Sequence, residues 1–205
     1  MRYVKWTFIT ALVLSVFGLF HYTLPQHDIV RIVNTYEERQ DLSGWTTMFW
    51  QGTTNGTDTQ QTRDVQFIQA VFPDGDTMVY RNEDTGWGWP FYFKFDTANL
   101  YTEANDAIST KAAPEWYSVT HYGWRNEILS IFPNAVAIKP VEGPDASIFP
   151  WFNVVFLTLL VIFILLIRRM WLQFRERSID PLLEDVDEAW DDRTSGIRSW
   201  FKRRR

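Results

Sequence analysis

Two long apolar segments stand out from an otherwise polar chain of 205 residues. Residues 6–24 run for 19 positions without Asp, Glu, Lys or Arg, and residues 148–167 run for 20. As α-helices with a rise of about 1.5 Å per residue, each would cover about 30 Å, the hydrocarbon thickness of a bilayer. The pattern therefore predicts two transmembrane helices, because soluble core helices are rarely this long and this uniformly apolar.

Between these segments, short runs of β-branched and aromatic residues alternate with turn signals, which is typical of a β-rich domain. A Pro-Asp-Gly turn at residues 73–75 joins two such runs and predicts a hairpin. Residues 37–63 lack periodicity and are rich in Gly, Thr and Asn, so we expect a loop or an irregular hairpin there. The predicted strands are residues 28–36, 65–72, 77–81, 116–124, 128–132 and 135–139.

One helix is predicted within this middle region. Asp96 is a favourable N-cap residue, and apolar residues spaced three and four apart share one face of a helix that runs to about Ser109. The expected fold class is an α+β membrane protein, in which two terminal transmembrane helices flank a small β-rich domain arranged as a partly open barrel with one helix across it. The predicted divisions are residues 1–24, 25–147, 148–168 and 169–205: first helix, exported domain, second helix and tail.

The distribution of charge gives the two predicted helices a direction. Residues 168–205 hold ten of the 20 Lys and Arg residues, whereas residues 25–147 hold eight against 17 Asp and Glu. The positive-inside rule then puts both termini in the cytoplasm and the middle domain in the periplasm, as in an inner-membrane protein. The first segment would otherwise suit a cleavable signal peptide, but no convincing small-x-small cleavage site precedes Pro25.

The tail after the second apolar segment has a basic, an acidic and another basic part. Asp180 followed by Pro181 predicts the start of an acidic amphipathic helix. Basic residues interleaved with aromatic rings can lie on anionic lipid headgroups, although a plain positive-inside signal would have the same composition. No specific nucleic acid is expected as a partner. The predicted membrane-surface residues are Arg168, Arg169, Trp171, Trp200, Phe201, Lys202, Arg203, Arg204 and Arg205.

Small residues recur every four positions along the first apolar segment. Thr7, Ala11 and Ser15 form this stripe, which would let another helix approach closely. Such an approach would support self-association or contact with another membrane protein. Chance placement in a segment rich in Thr, Ala and Ser accounts for the stripe equally well.

An alternating aromatic run is the most unusual feature of the middle domain. Period-two alternation over residues 87–95 predicts an extended strand with its rings on one face, lying at a sheet edge or broken at Pro90. Because aromatic rings dominate core energetics, the expectation is that they form the domain core; the alternative is a ligand or partner surface. The rings concerned are Trp87, Trp89, Phe91, Phe93 and Phe95.

The sequence offers little catalytic chemistry. There is no Cys, so thiol nucleophiles, thiolate metal sites and disulfides are excluded, and three His residues do not suggest a metal centre. We expect no cofactor. His121, Arg125 and Glu127 are the least weak acid–base candidates, but a His in a strand is more often a hydrogen-bonded structural residue.

Three stretches of the sequence resemble one family. They are HYTLPQHDIVRIVNT, RNEDTGWGWPFYFKFDTANL and VTHYGWRNEILSIFPNAVAIKP, and they resemble a bacterial membrane-protein family called domain of unknown function 1523. The resemblance extends over nearly the whole chain between the tails. It implies a bacterial inner-membrane protein and carries no activity, so no catalytic residues transfer from it.

These observations favour a non-enzymatic envelope protein whose exported domain binds a protein partner or a ligand. Two alternatives stay open. One is a membrane-anchored periplasmic enzyme of hydrolase type, using the weak acid–base candidates. The other is an accessory subunit of a larger membrane complex, in which the transmembrane helices make the contacts.

Overall fold

The computed structural model describes residues 2–41 and 62–181. Its two longest helices are α1, Arg2–Thr23, and α3, Trp151–Phe174, with a π-helical turn at Arg175–Ile179 after α3. Both are long and apolar enough to cross a membrane, and no residue in the most apolar stretch of either is buried. The two apolar segments therefore form the long helices that the sequence predicts.

The chain divides into two compact units, Met1–Pro150 and Trp151–Arg205. The first contains α1, five strands and a short helix. The second contains α3 and the π-helical turn. The strands are β1 (Gln26–Asp41), β2 (Thr62–Val71), β3 (Thr77–Asn82), β4 (Trp116–Tyr122) and β5 (Asn134–Val141), and the short helix is α2 (Thr97–Asp106).

The five strands close into a barrel in the order β1-β2-β3-β5-β4. The long strand β1 closes it, because residues 26–30 pair with β4 and residues 31–41 pair with β2. Every pairing is antiparallel except that of β3 with β5, which meet in parallel at Arg81 and Asn134. This strand order, with a helix between β3 and β4, is the topology of an OB-type barrel.

The barrel interior and α2 share one hydrophobic core. On α2, Leu100 and Ala104 are buried, and Asp96 caps the helix by accepting a hydrogen bond from the amide of Asn99 at 3.1 Å. The hairpin of β2 and β3 is also as predicted, with its turn closed by the Gly75 amide donating to the Phe72 carbonyl. The core comprises Val30, Ile32, Ile68, Ala70, Tyr80, Leu100, Ala104, Ala107, Val119, Ala135 and Ile138.

Several predicted elements are wrong in extent or type. Residues 87–95 form a loop, since Phe93 has a left-handed φ of 52° and the Lys94 carbonyl accepts from the amides of Thr85 and Gly86. Residues 128–132 are not a strand and contribute one isolated bridge, Asn126 to Ile131. Ser130 has a φ of 51°, in the left-handed region, which lies outside the range of a β-strand and interrupts the extended backbone.

Three further boundaries differ from the predictions. Strand β1 continues to Asp41 and β2 begins at Thr62, so both extend into residues 37–63, where the sequence predicts a loop or an irregular hairpin, and their antiparallel pairing fits the hairpin. Helix α2 ends at Asp106, because the Ser109 amide pairs instead with the Ile32 carbonyl of β1. Asp180 already has a helical backbone, with φ −61° and ψ −43°, and so lacks the non-helical conformation expected of an N-cap residue. The rest of the acidic helix and the basic C-terminus lie outside the described residues.

Candidate functional site

The last turn of α1 is hydrogen-bonded directly into two loops of the barrel. The Gly123 amide donates to the Tyr22 carbonyl at 2.9 Å, the Trp124 indole donates to His21 Nδ1 at 2.9 Å, and the Tyr92 hydroxyl donates to the Thr23 carbonyl at 2.7 Å. The last carbonyls of a helix have no partner within the helix, so these bonds satisfy groups that would otherwise need water. We call this contact the helix–barrel junction.

Gly123 fits the junction because of its backbone conformation. Its φ of +95° is a region that other residues rarely adopt. A Cβ there would lie 3.5 Å from the Pro133 Cα and 3.6 Å from the Tyr22 ring. A Cβ would thus meet its neighbours at ordinary contact distance, and it is the positive φ that favours glycine where the chain turns from β4 toward the helix.

Trp124 follows Gly123 and packs back along α1. Its ring meets that of Tyr22 edge-on at 5.4 Å between centroids, and it lies 3.7 Å from where a Cβ would stand on Gly18. Gly18 is five residues before the end of α1, which is about 7.5 Å at 1.5 Å per residue. The loop between β4 and β5 thus overlaps the last turns of the apolar helix.

A buried polar network lies on the outer face of β3 beneath the junction. Tyr80 is part of the core, so the next residue, Arg81, points to the opposite face of the strand. Arg81 forms a 3.1 Å ion pair with Glu83, and both side chains are at most 5% exposed. Its guanidinium also donates to the phenol oxygens of Tyr122 and Tyr22, which connects α1 to the centre of the network.

Asn134 holds this network to the start of β5. Its side chain accepts a hydrogen bond from the Glu83 amide at 2.9 Å and donates one to the Glu83 carbonyl at 3.0 Å. The side chain therefore pairs with the main chain of Glu83 in the way that the backbone of a neighbouring strand does. It also donates to the Tyr122 hydroxyl at 3.1 Å. The Asn134 amide group thus uses both its oxygen and its nitrogen in hydrogen bonds within the network. A hydrophobic residue of similar size would leave these buried partners unpaired.

Lys94 is a buried cation near the same end of the barrel. Its ammonium donates to the Asn82 side-chain oxygen and, at 2.9 Å, to the Ala135 carbonyl. Burial lowers its pKa to about 7, with the carboxylate of Asp84 acting in the opposite direction. The side chain fixes the loop that carries the aromatic run, because it extends inward from that loop.

A second polar group lies inside the barrel. Asp28 Oδ2 is 2.9 Å from His121 Nε2 and accepts from the Tyr80 hydroxyl at 2.6 Å. Burial acts to raise the pKa of the Asp28 carboxyl, but the His121 and Tyr80 contacts together hold it below its usual value. Burial and the neighbouring Asp28 raise the pKa of Tyr80, so Tyr80 stays a neutral donor.

The structure separates the three acid–base candidates. His121 is buried against Asp28, while the Arg125 guanidinium donates to the Ile131 carbonyl at 3.1 Å and lies 4.4 Å over the Phe132 ring. Glu127 is exposed. Sequence reasoning missed Asp28 and Tyr80 as partners of His121, because closure of the barrel brings them together across long sequence separations. Within the described ranges, no group of three or more His, Asp or Glu could hold a metal ion.

The aromatic run is exposed, and the expectation that it forms the core is wrong. We name residues 84–95 the aromatic loop. Its odd-numbered rings face outward, while Pro90 and Lys94 are buried beneath them and Tyr92 is partly buried. The alternation is thus real, although no strand produces it. The exposed rings are Trp87 (77%), Trp89 (56%), Phe91 (58%), Phe93 (52%) and Phe95 (55%).

The other predicted surface residues lie on the long helices. Thr7, Ala11 and Ser15 are exposed on α1, where the Thr7 and Ser15 hydroxyls donate to carbonyls one turn earlier. Arg168, Arg169 and Trp171 are exposed on α3. Residues 200–205 lie beyond the described part of the chain.

Fold and junction together define a class: a small OB-type barrel bonded directly to an apolar helix of membrane-spanning length. The chain belongs to the family described as "Protein of unknown function (DUF1523)", whose family model matches residues 1–175. An uncharacterized protein of Haemophilus influenzae is 37% identical over 144 residues, which are 69% of this chain and 78% of the relative. No solved structure matches the chain.

Proposed function

We propose that this is a non-enzymatic inner-membrane protein with both termini in the cytoplasm, which holds its barrel at the periplasmic membrane surface as a binding module. One observation carries the proposal: α1 is bonded into the barrel through Tyr22, Thr23 and His21. A flexible tether would let a domain turn freely, whereas three hydrogen bonds to the last turn fix one side of the barrel toward the bilayer.

The exposure of both apolar helices supports the membrane part of the proposal. Exposing these apolar helices to water is unfavourable in free energy, whereas the hydrocarbon core of a bilayer solvates apolar side chains. The charge asymmetry on either side of residues 148–167 supports the orientation. Arg168, Arg169 and Trp171, directly after this segment, would lie at the cytoplasmic headgroups.

The exposed aromatic loop supports the binding part. Contiguous exposed apolar surface on a small domain is typical of an interaction site. The OB-type fold by itself assigns no ligand, since one fold serves many functions. In this chain the β4–β5 loop, which commonly frames ligands in such barrels, is occupied by its contact with α1. We therefore assign binding to the aromatic loop and expect no specific nucleic acid.

A membrane-anchored enzyme is the second candidate, and the Asp28–His121 contact is the observation that favours it. A carboxylate that orients an imidazole is a common acid–base arrangement. In a strain that depends on this protein, a folded His121→Gln variant should stay functional if the protein only binds. Loss of function with an intact fold would favour the enzyme.

Reporter fusions test the topology. A reporter active only in the periplasm should be inactive when fused after Arg205 and active when inserted after Lys111, a surface residue that follows α2. A cytoplasmic reporter should give the opposite result at both positions. A periplasm-active fusion after Arg205 would overturn the proposed orientation.

A further inference from the structure

The aromatic loop presents a continuous apolar cluster to its surroundings. Ring centroids lie 5.4 Å apart for Trp87 and Phe93, 5.2 Å for Trp89 and Phe91, and 6.1 Å for Phe91 and Phe93. Each of these rings is more than half exposed. A cluster that packs on itself while facing outward leaves a large apolar surface available to an external partner.

The base of the aromatic loop is rigid. Lys94 donates from its ammonium into the barrel, its amide donates to the Thr85 hydroxyl at 3.0 Å, and Tyr92 stacks on Tyr122 at 4.7 Å between centroids. The exposed rings are thus held on a fixed platform, so that their position relative to α1 is set by the fold.

That platform stands beside the end of α1. The Tyr92 hydroxyl bonds the Thr23 carbonyl, and Phe91 and Phe93 are the residues on either side of Tyr92. A tyrosine hydroxyl lies about 6.5 Å from its own Cα and adjacent Cα atoms are about 3.8 Å apart, so the Cα atoms of Phe91 and Phe93 lie within about 13 Å of the Thr23 carbonyl oxygen. The headgroup layer of a bilayer extends about 5–8 Å beyond the hydrocarbon. If α1 crosses the membrane, the rings are therefore within reach of the leaflet from which the helix emerges.

We propose that the aromatic loop inserts its exposed rings into the headgroup–acyl boundary of that leaflet, so that the lipid surface itself is what the loop binds. This inference rests on the proposed function, because it requires α1 to cross the bilayer. Trp and other aromatic rings favour this depth of the membrane. Of the two charged residues in the loop, Lys94 is buried and Asp84 is acidic and exposed. Insertion should therefore depend on apolar area and not on anionic lipid or low salt.

Nitroxide labels at single cysteines test the proposal in the 205-residue chain, which contains no Cys of its own. The Phe91→Cys variant reports on the loop, Leu14→Cys on the middle of α1, and Lys111→Cys on the aqueous side of the barrel. The protein is reconstituted in vesicles of phosphatidylethanolamine with phosphatidylglycerol, and separately in phosphatidylcholine alone. Collision of each label with oxygen and with a water-soluble nickel chelate is then measured.

The label at residue 91 should collide with oxygen and lose collisions with the chelate in both vesicle types, as the label at residue 14 does. The label at residue 111 should meet the chelate freely.

If residue 91 meets the chelate while residue 14 is protected, the loop lies in water and the inference is overturned with the topology intact. Protection of residue 91 from both reagents would indicate burial against protein, which in these vesicles is this chain or a second copy of it, and would also overturn the inference. Chelate access at residue 14 would refute the proposed membrane anchoring itself. A Phe93→Cys label repeats the measurement if Phe91→Cys does not fold.

Discussion

The hydroxyl of Tyr92 donates to the main-chain carbonyl of Thr23 across 2.7 Å. This bond joins the aromatic loop to the last turn of α1, while the ring of Tyr92 stacks on Tyr122 of the barrel. One side chain thus connects the helix, the loop and the barrel. The position of the exposed rings relative to the apolar helix follows from this connection.

Removing that hydroxyl should loosen the loop. We expect Tyr92→Phe to cost about 1 kcal/mol of unfolding free energy, and to speed amide hydrogen exchange in residues 84–95, because a buried carbonyl loses its donor. Tyr101→Phe on α2 is the matched control and should change neither quantity. Equal exchange in the two variants would contradict the assigned role of Tyr92.

The turn at Gly123 should not tolerate a side chain. Gly123→Ala places a side chain on a residue with a φ of +95°, a backbone conformation that is strained for alanine, so we expect a loss of about 1–3 kcal/mol. Gly143 has open space around its Cβ position, so Gly143→Ala should be close to neutral. Thermal unfolding in mild detergent distinguishes the variants, and similar melting temperatures would argue against a fixed junction.

The Asp28 carboxylate should stabilise the barrel interior. Asp28→Asn keeps the size and removes the charge that His121 and Tyr80 contact, at an expected cost of about 2 kcal/mol. The pKa of Asp28 is lowered in the folded protein, so this stabilisation is present above the unfolded pKa of about 4 and is lost as the pH falls through the folded pKa. The difference between wild type and variant should shrink in acid. Asp74→Asn, in the exposed hairpin turn, provides the control.

Buried Lys94 should make the free energy of unfolding depend on pH above neutrality, whereas Asp28 acts in acid. Its pKa is about 7 when folded and about 10.4 when unfolded, so between these values the unfolded chain binds more protons and stability rises with pH. We expect a gain of about 2 kcal/mol from about pH 7 to pH 9, measured by chemical denaturation in detergent. Lys94→Met should lose this gain, whereas Lys111→Met, an exposed control, should keep it. A gain that persists in Lys94→Met would refute the assignment.

Patterns local in sequence predicted much of the fold. The apolar segments predicted two helices, the Pro-Asp-Gly turn predicted the hairpin of β2 and β3, and Asp96 predicted the start of α2. Each of these signals lies within a single helix or hairpin. The alternation at residues 87–95 correctly predicted that the rings share one side, but a loop anchored by Lys94 produces the same period as a strand.

The candidate sites were much harder to predict, because they join distant parts of the chain. Tyr22 and Arg81 meet only when α1 docks beside β3, and Asp28 reaches His121 only when β1 pairs with β4. Neither pair has a spacing that marks it in the sequence. Exposure of the aromatic rings likewise depends on which residues the tertiary fold places beneath them.

Labelling single cysteines from outside the inner membrane tests most directly whether α1 holds the barrel at the periplasmic surface. With the outer membrane opened and the inner membrane intact, a membrane-impermeant maleimide should label the Lys111→Cys variant. The Arg2→Cys variant should react only after the inner membrane is lysed. Labelling of Arg2→Cys before lysis, or protection of Lys111→Cys, would contradict the account.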